Sequence, residues 1–137
     1  MNILEAIKLS KFISLIAYLL IILMGQMIGI PFFLWLIFML FDFGNIDQLF
    51  AVLAITGLFI NAINRNKKKS PSILLLDLLC FFLLLSPLIH RMIAVPIHLF
   101  NYLAFIIPIS TFILFYLISL GLSFKIYLQN KKSILEN

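Results

Sequence analysis

Four long apolar stretches constrain what this chain can fold into more than any other feature of its sequence. They cover approximately residues 12–41, 46–63, 72–92 and 97–124. A membrane-spanning helix needs about 20 mostly apolar residues, and each stretch approaches or exceeds that length. The mean hydropathy is +1.21 and 11% of the residues are charged, against about 25% in soluble domains. The solvent that surrounds such a chain must therefore be lipid.

The pattern predicts an all-α integral membrane protein, folded as a four-transmembrane-helix bundle. We expect one transmembrane domain over residues 1–137, with short interfacial cytoplasmic ends at 1–11 and 125–137. Capping residues separate the helices. Asn45 is a candidate N-cap with Gln48 as its capping-box partner, and Ser70 is a candidate N-cap followed by proline at the first helical position. Pro96 is expected to open the fourth helix in the same way.

The first stretch is too long for a simple crossing. Its 30 residues would form a helix of roughly 45 Å, whereas the hydrocarbon core is roughly 30 Å thick. The middle of the stretch contains Gly25, Gln26, Gly29 and Pro31. We predict one long helix, retained as an anchor, that is tilted and kinked between Gly25 and Pro31. The alternative is a re-entrant break that lines a cavity.

The basic residues predict the orientation of the bundle. Nine of the ten fall on one side of a four-pass arrangement, and only Arg91 falls on the other, where Asp42 and Asp47 also lie. The nine are Lys8, Lys11, Arg65, Lys67, Lys68, Lys69, Lys125, Lys131 and Lys132. Since cytoplasmic loops are enriched in Lys and Arg, both termini are expected to be cytoplasmic, in a bacterial inner membrane.

The net charge of +5 would suggest nucleic acid in a soluble protein, but here anionic lipid headgroups are the expected counter-charge. The expected partners are the lipid bilayer and other membrane subunits or a second copy of the chain. Cys80 is the only cysteine, which excludes disulfide scaffolds and CxxC redox chemistry. The sequence lacks a Gly-rich phosphate loop, H-E-x-x-H and G-x-S-x-G. We therefore nominate no catalytic residue, cofactor or metal.

Small residues mark the faces on which helices pack in lipid. Gly25 and Gly29 form a close-approach pair in the first stretch, for packing within the bundle or for a homodimer. Ala51, Ala54 and Gly57 mark the packing face of the second helix.

Asp77 lies inside the third stretch and is the main candidate for intramembrane chemistry. Counted from Pro71 it is roughly 9 Å deep, and a carboxylate there is costly unless it finds donors or a proton. Tyr18, Tyr116 and Ser119 are expected at similar depth, and Asn61 somewhat shallower. One interpretation is a structural hydrogen-bonded knot, completed by these side chains or by a lysine from 67–69. The other is a proton or cation site with a raised pKa.

His90, Arg91 and His98 form a predicted cluster near the outer surface. Two histidines alone make a poor metal site, because three or four ligands are the rule. We expect a structural cluster in which Arg91 pairs with Asp42, Asp47 or lipid phosphate, and we expect no bound metal or haem.

Three classes of function remain compatible with the sequence. The scarcity of ionisable groups favours a non-catalytic accessory or assembly subunit of a membrane complex. The alternative is a small oligomeric transporter or channel with a polar seam and Asp77 as its proton or cation site. An integral membrane enzyme is disfavoured by the missing motifs.

Overall fold

The computed structural model describes residues 2–24, 29–65 and 70–135, and this part of the chain is predominantly helical, as predicted. The five α-helices are α1 (Ile3–Leu19), α2 (Phe32–Leu40), α3 (Ile46–Asn64), α4 (Pro71–Ala94) and α5 (Leu103–Leu135). A pair of short strands, β1 (Ile22–Met24) and β2 (Gly29–Pro31), separates α1 from α2, and a 3₁₀ turn (Ile97–Phe100) precedes α5. Within the described residues, α3, α4 and α5 are long and apolar enough to cross a membrane.

Local capping determines where α3 and α4 begin. The Asn45 side chain accepts a hydrogen bond from the Asp47 amide, and the Ser70 hydroxyl accepts one from the Ile73 amide, with Pro71 at the first helical position. Both predicted N-caps are confirmed. The predicted capping box is wrong, because the side-chain amide of Gln48 donates to the Leu40 carbonyl instead, at 3.0 Å. That bond ties the start of α3 to the end of α2.

The helices pack chiefly as two antiparallel pairs: α1 packs mainly against α5, and α3 against α4. In the first pair the Ser14 hydroxyl donates to the Phe112 carbonyl, at 2.8 Å. The second pair approaches closely at Gly57, where an added Cβ would lie 3.2 Å from the Cβ of Leu83. Ala51 and Ala54 are fully buried on the same helix.

The first apolar stretch is interrupted, and the prediction of one long kinked helix is wrong. After α1 ends at Leu19 the chain forms an antiparallel strand pair in which Ile22 lies opposite Pro31. The chain then resumes as α2, and the Phe32 amide donates to the Ile21 carbonyl at 2.7 Å. Gly29 therefore lies in β2, not on a helix-packing face. Gly25 and Gln26 fall outside the described residues.

Tyr102, just before α5, holds this strand pair in place. Its hydroxyl donates to the Ile22 carbonyl and accepts a hydrogen bond from the Met24 amide. Backbone outside helices must find such partners where water is scarce, and in membranes it is tolerated only under protein cover. The two hydrogen bonds of the Tyr102 hydroxyl, which we call the clamp, therefore replace bonds that an uninterrupted helix would have made within itself.

Helical rise shows how much of the bundle each element covers. From Asp77 to Arg91, α4 rises roughly 21 Å, whereas from Lys11 to Tyr18, α1 rises only roughly 10 Å. Tyr18 therefore lies about midway between the levels of Asp77 and Arg91. Beyond the end of α1, the levels between Tyr18 and Arg91 are occupied by α2. Its Phe32 ring packs edge-on against the Tyr18 ring, with the ring centres 5.0 Å apart. The described residues thus contain three continuous long helices, α3, α4 and α5, and an interrupted helical segment formed by α1 and α2, which we call the discontinuous helix.

The fourth stretch also differs from the expected single helix over 97–124. Pro96 precedes the 3₁₀ turn, and α5 begins only at Leu103 but continues to Leu135. Because α5 runs antiparallel to α1, its C-terminal part extends beyond the end of the bundle that carries Lys8 and Arg65. We call this the basic end.

Candidate functional site

Lys11 and Asp77 form a buried ion pair near the basic end. The Nζ atom of Lys11 on α1 lies 2.6 Å from Oδ1 of Asp77 on α4. The two side chains are only 8% and 2% exposed. The carboxylate in the first third of the apolar helix α4 therefore has a cationic partner, and that partner comes from a different helix.

Tyr116 and Asn61 join the other two long helices to this ion pair. The Tyr116 hydroxyl on α5 donates to the backbone carbonyl of Asp77, at 3.0 Å. The Asn61 amide on α3 donates to the Tyr116 hydroxyl and to the Gly57 carbonyl, both at 3.1 Å. The Lys11 ammonium lies 5.8 Å from the centre of the Tyr116 ring. We call these four residues, one from each of α1, α3, α4 and α5, the polar knot.

The electrostatics of the knot depend on mutual neutralisation. An isolated charge in a membrane interior is strongly unfavourable, and a buried ion pair offsets that desolvation only with close geometry and further hydrogen bonds. Contact at 2.6 Å provides the close geometry. The arrangement can hold four helices in one register, and a shift of any one of them would break at least one buried polar contact.

Three of the five predicted intramembrane polar residues, Asp77, Asn61 and Tyr116, meet in the knot. Ser119 is buried one turn further along α5. Tyr18 lies about two turns above Lys11, where its ring packs against Phe112 at 4.9 Å. Its hydroxyl is buried and has no hydrogen-bond partner among the residues that the structure describes. Tyr18 is therefore separate from the knot and lies next to the break between α1 and α2.

Sequence reasoning missed Lys11. It placed Lys11 outside the membrane because the apolar stretch starts at residue 12, and it nominated a lysine from 67–69, which falls outside the described residues. The structure starts α1 at Ile3, so Lys11 is near the middle of that helix. The available signal was the spacing of Lys11, Ser14 and Tyr18, which at i, i+3 and i+7 share one helical face.

A cleft opens between α1 and α3 beside the knot. It has a volume of about 130 Å³, and its lining includes Lys8, Lys11, Phe12, Asn61 and Arg65. The guanidinium of Arg65 lies over the Phe12 ring, 5.7 Å from its centre. We call this space the basic cleft. It connects the buried ammonium of Lys11 with the surface at the basic end.

The predicted outer cluster is centred on Asp47. Nε2 of His90 lies 3.1 Å from one carboxylate oxygen of Asp47, and Nη1 of Arg91 lies 3.7 Å from the other. The prediction that Arg91 pairs with an acidic residue is confirmed for Asp47. Arg91 also lies over the Trp35 ring, which links α2 to α4. His98 lies exposed on the 3₁₀ turn.

Metal-binding groups of three or more His, Cys, Asp or Glu side chains do not occur in the part of the chain that the structure describes. Comparison with known proteins identifies no relative: no family model matches, and neither the curated proteins nor the solved structures give a significant match.

Proposed function

We propose that this protein is a non-catalytic accessory or assembly subunit of a membrane protein complex. The observation that carries the proposal is the polar knot. Its ion pair is closed at 2.6 Å and nearly inaccessible, and its hydroxyl and amide bond to one another and to the backbone. The two buried charged side chains of the knot, Lys11 and Asp77, are thus engaged in holding helices together. The lipid-facing surfaces remain for interaction with other subunits.

The proposal includes an arrangement in the membrane. The discontinuous helix and the three long helices each cross once, in a bacterial inner membrane, with both termini in the cytoplasm. Support comes from the charges: Lys8, Arg65 and the lysines of α5 lie towards the basic end, whereas the Asp47 cluster lies at the opposite end. Such asymmetry matches the enrichment of Lys and Arg in cytoplasmic loops.

Purification in mild detergent tests the accessory role. The tagged full chain should co-purify with a larger membrane protein at constant stoichiometry, and deletion of the gene should reduce assembly of that partner. As a control, the Lys125→Gln/Lys131→Gln variant, altered on exposed α5 residues outside the bundle, should retain the same partner. A protein that purifies alone, and whose deletion leaves other membrane complexes intact, would contradict the proposal.

A second candidate is a small oligomeric transporter or channel, and the discontinuous helix favours it. Broken helices in secondary transporters expose backbone groups for substrates and ions near the midplane. Here the break lies next to the buried hydroxyl of Tyr18, for which the described ranges 2–24, 29–65 and 70–135 supply no hydrogen-bond partner. In this model Asp77 exchanges a proton or cation reached through the basic cleft.

Transport in liposomes distinguishes the two candidates. The transporter role requires that the purified protein alone catalyse proton-coupled uptake. It also requires that a stably folded Asp77→Asn variant lose both uptake and its pH dependence. The accessory role predicts no uptake by the wild type under the same gradient.

A further inference from the structure

We infer that the basic cleft binds a phosphate-bearing anion, such as the headgroup of an anionic phospholipid. The cleft brings together Lys8 and Lys11 from α1 with Arg65 from the end of α3. No acidic side chain is among the described residues that line it. The cleft shares Lys11 and Asn61 with the polar knot, but the anion would be held mainly by Lys8 and Arg65, which lie outside the knot. The inference holds for either candidate function.

The local charges leave an excess of positive charge in the cleft. Lys11 is neutralised by Asp77 at 2.6 Å, which leaves the charges of Lys8 and Arg65. The nearest acid along α1 is Glu5, one turn before Lys8, and its carboxylate accepts a hydrogen bond from the Asn2 amide. Two cations that converge on a concave, partly apolar surface favour an anion more strongly than two isolated surface lysines.

The donors suit phosphate in geometry. Guanidinium groups bind phosphate through two parallel N–H donors, and an ammonium adds a point charge. Packing of the Arg65 guanidinium over the Phe12 ring positions it at the edge of the cleft. A volume of about 130 Å³ is several times the roughly 10–15 Å³ of cavity that one water molecule requires, which is adequate for one phosphate group.

The depth and the walls of the cleft point to a lipid rather than a free ion. Lys8 lies about 8 Å along α1 from its first residue, and Arg65 caps the end of α3, so both are near the ends of their helices. Phe12 and Leu15 line the cleft deeper in the bundle. A headgroup phosphate between Lys8 and Arg65 would therefore leave acyl chains against these apolar side chains.

Native mass spectrometry of the full chain in a neutral detergent tests the site. The protein is titrated with phosphatidylglycerol, with phosphatidylcholine of the same acyl chains, and with inorganic phosphate as a competitor. We expect one phosphatidylglycerol to bind about tenfold more tightly than phosphatidylcholine, and we expect Lys8→Gln/Arg65→Gln to remove that preference. Both altered side chains are exposed, so the variant should fold.

The control is Lys125→Gln/Lys131→Gln, which removes the same charge from α5. It should bind phosphatidylglycerol like the wild type. Equal weakening in both double variants, or no weakening in Lys8→Gln/Arg65→Gln, would overturn the site. Displacement of the lipid by millimolar inorganic phosphate would support the site and assign it to the free anion. Resistance to phosphate would support the site and assign it to the lipid.

Discussion

At the scale of single residues, the carboxylate of Asp77 and the ammonium of Lys11 each offset the desolvation cost of burying the other. They are 66 positions apart in sequence and 2.6 Å apart in space. Removal of one partner from a buried pair leaves a charge in surroundings that cannot solvate it, whereas replacement of both by apolar groups is often neutral. The pair should therefore behave as one unit under mutation.

Asp77→Asn should destabilise the protein strongly. It leaves the ammonium of Lys11 buried beside a neutral amide, and the free energy of unfolding should fall by roughly 3–5 kcal/mol. The double variant Lys11→Met/Asp77→Leu should recover most of that loss. Unfolding in mixed detergent micelles compares this double variant with its single variants, Lys11→Met and Asp77→Leu. A double variant whose loss equals the sum of those two single losses would show that the residues are not coupled.

At the scale of the elements, Gly57 determines how closely α3 and α4 pack. An alanine Cβ there would lie 3.2 Å from Leu83 and 3.4 Å from the Cys80 carbonyl. At Gly121 on α5 an added Cβ would meet no atom of the described residues within 4 Å. The two glycines therefore form a matched pair for mutation.

Gly57→Ala should lower stability, because overpacking costs roughly 1–3 kcal/mol and the helix preference of alanine offsets only about 1 kcal/mol. Gly121→Ala should be neutral or slightly stabilising, since alanine favours the helix and its Cβ would not crowd a neighbouring side chain there. Unfolding in mixed micelles compares them directly. If both changes had the same effect, close approach at Gly57 would not be what limits the α3–α4 contact.

The strand pair between α1 and α2 depends on Tyr102. Tyr102→Phe removes the hydroxyl that bonds to Ile22 and Met24, and each backbone group left unsatisfied costs roughly 1–3 kcal/mol. Hydrogen exchange of the Ile22–Met24 amides should accelerate, while the amides of α3 and α4 should keep their protection. Tyr127→Phe, at the far end of α5, is the control and should leave the strand amides unchanged. Unaltered exchange in Tyr102→Phe would mean that β1 and β2 hold without the clamp.

The elements also show which features could be predicted from the sequence. The starts of α3 and α4 were predictable because Asn45, Ser70 and Pro71 act on their immediate neighbours. The break after Leu19 was not, because leucine, isoleucine and methionine suit strand and helix alike in an apolar stretch. Its clamp is 80 positions away, at Tyr102. Lys11 was missed for the same reason, since its partner belongs to another helix.

At the scale of the whole molecule, the asymmetry of charge should determine the orientation. Reporter fusions after Asn137 and within residues 65–69 should both report the cytoplasm, because nine of the ten basic residues favour that side. A fusion in the 42–45 loop should report the opposite side and serves as the control. An external C-terminus would be incompatible with an even number of crossings that starts from a cytoplasmic N-terminus.

The pairing of α1 with α5 has a consequence for biosynthesis. Ile22 leaves the ribosome 80 residues before Tyr102, which at about 5–20 residues per second is a delay of roughly 4–16 s. Throughout that interval α5, against which α1 packs in the folded protein, has not been synthesised. Lys11 likewise lacks Asp77 for most of that time, because Asp77 is translated 66 residues after Lys11. The α3–α4 hairpin, with its nearby contacts, can form first. The N-terminal segment should therefore be the last to assemble, and it is the segment most exposed to quality-control proteases or to an insertion chaperone.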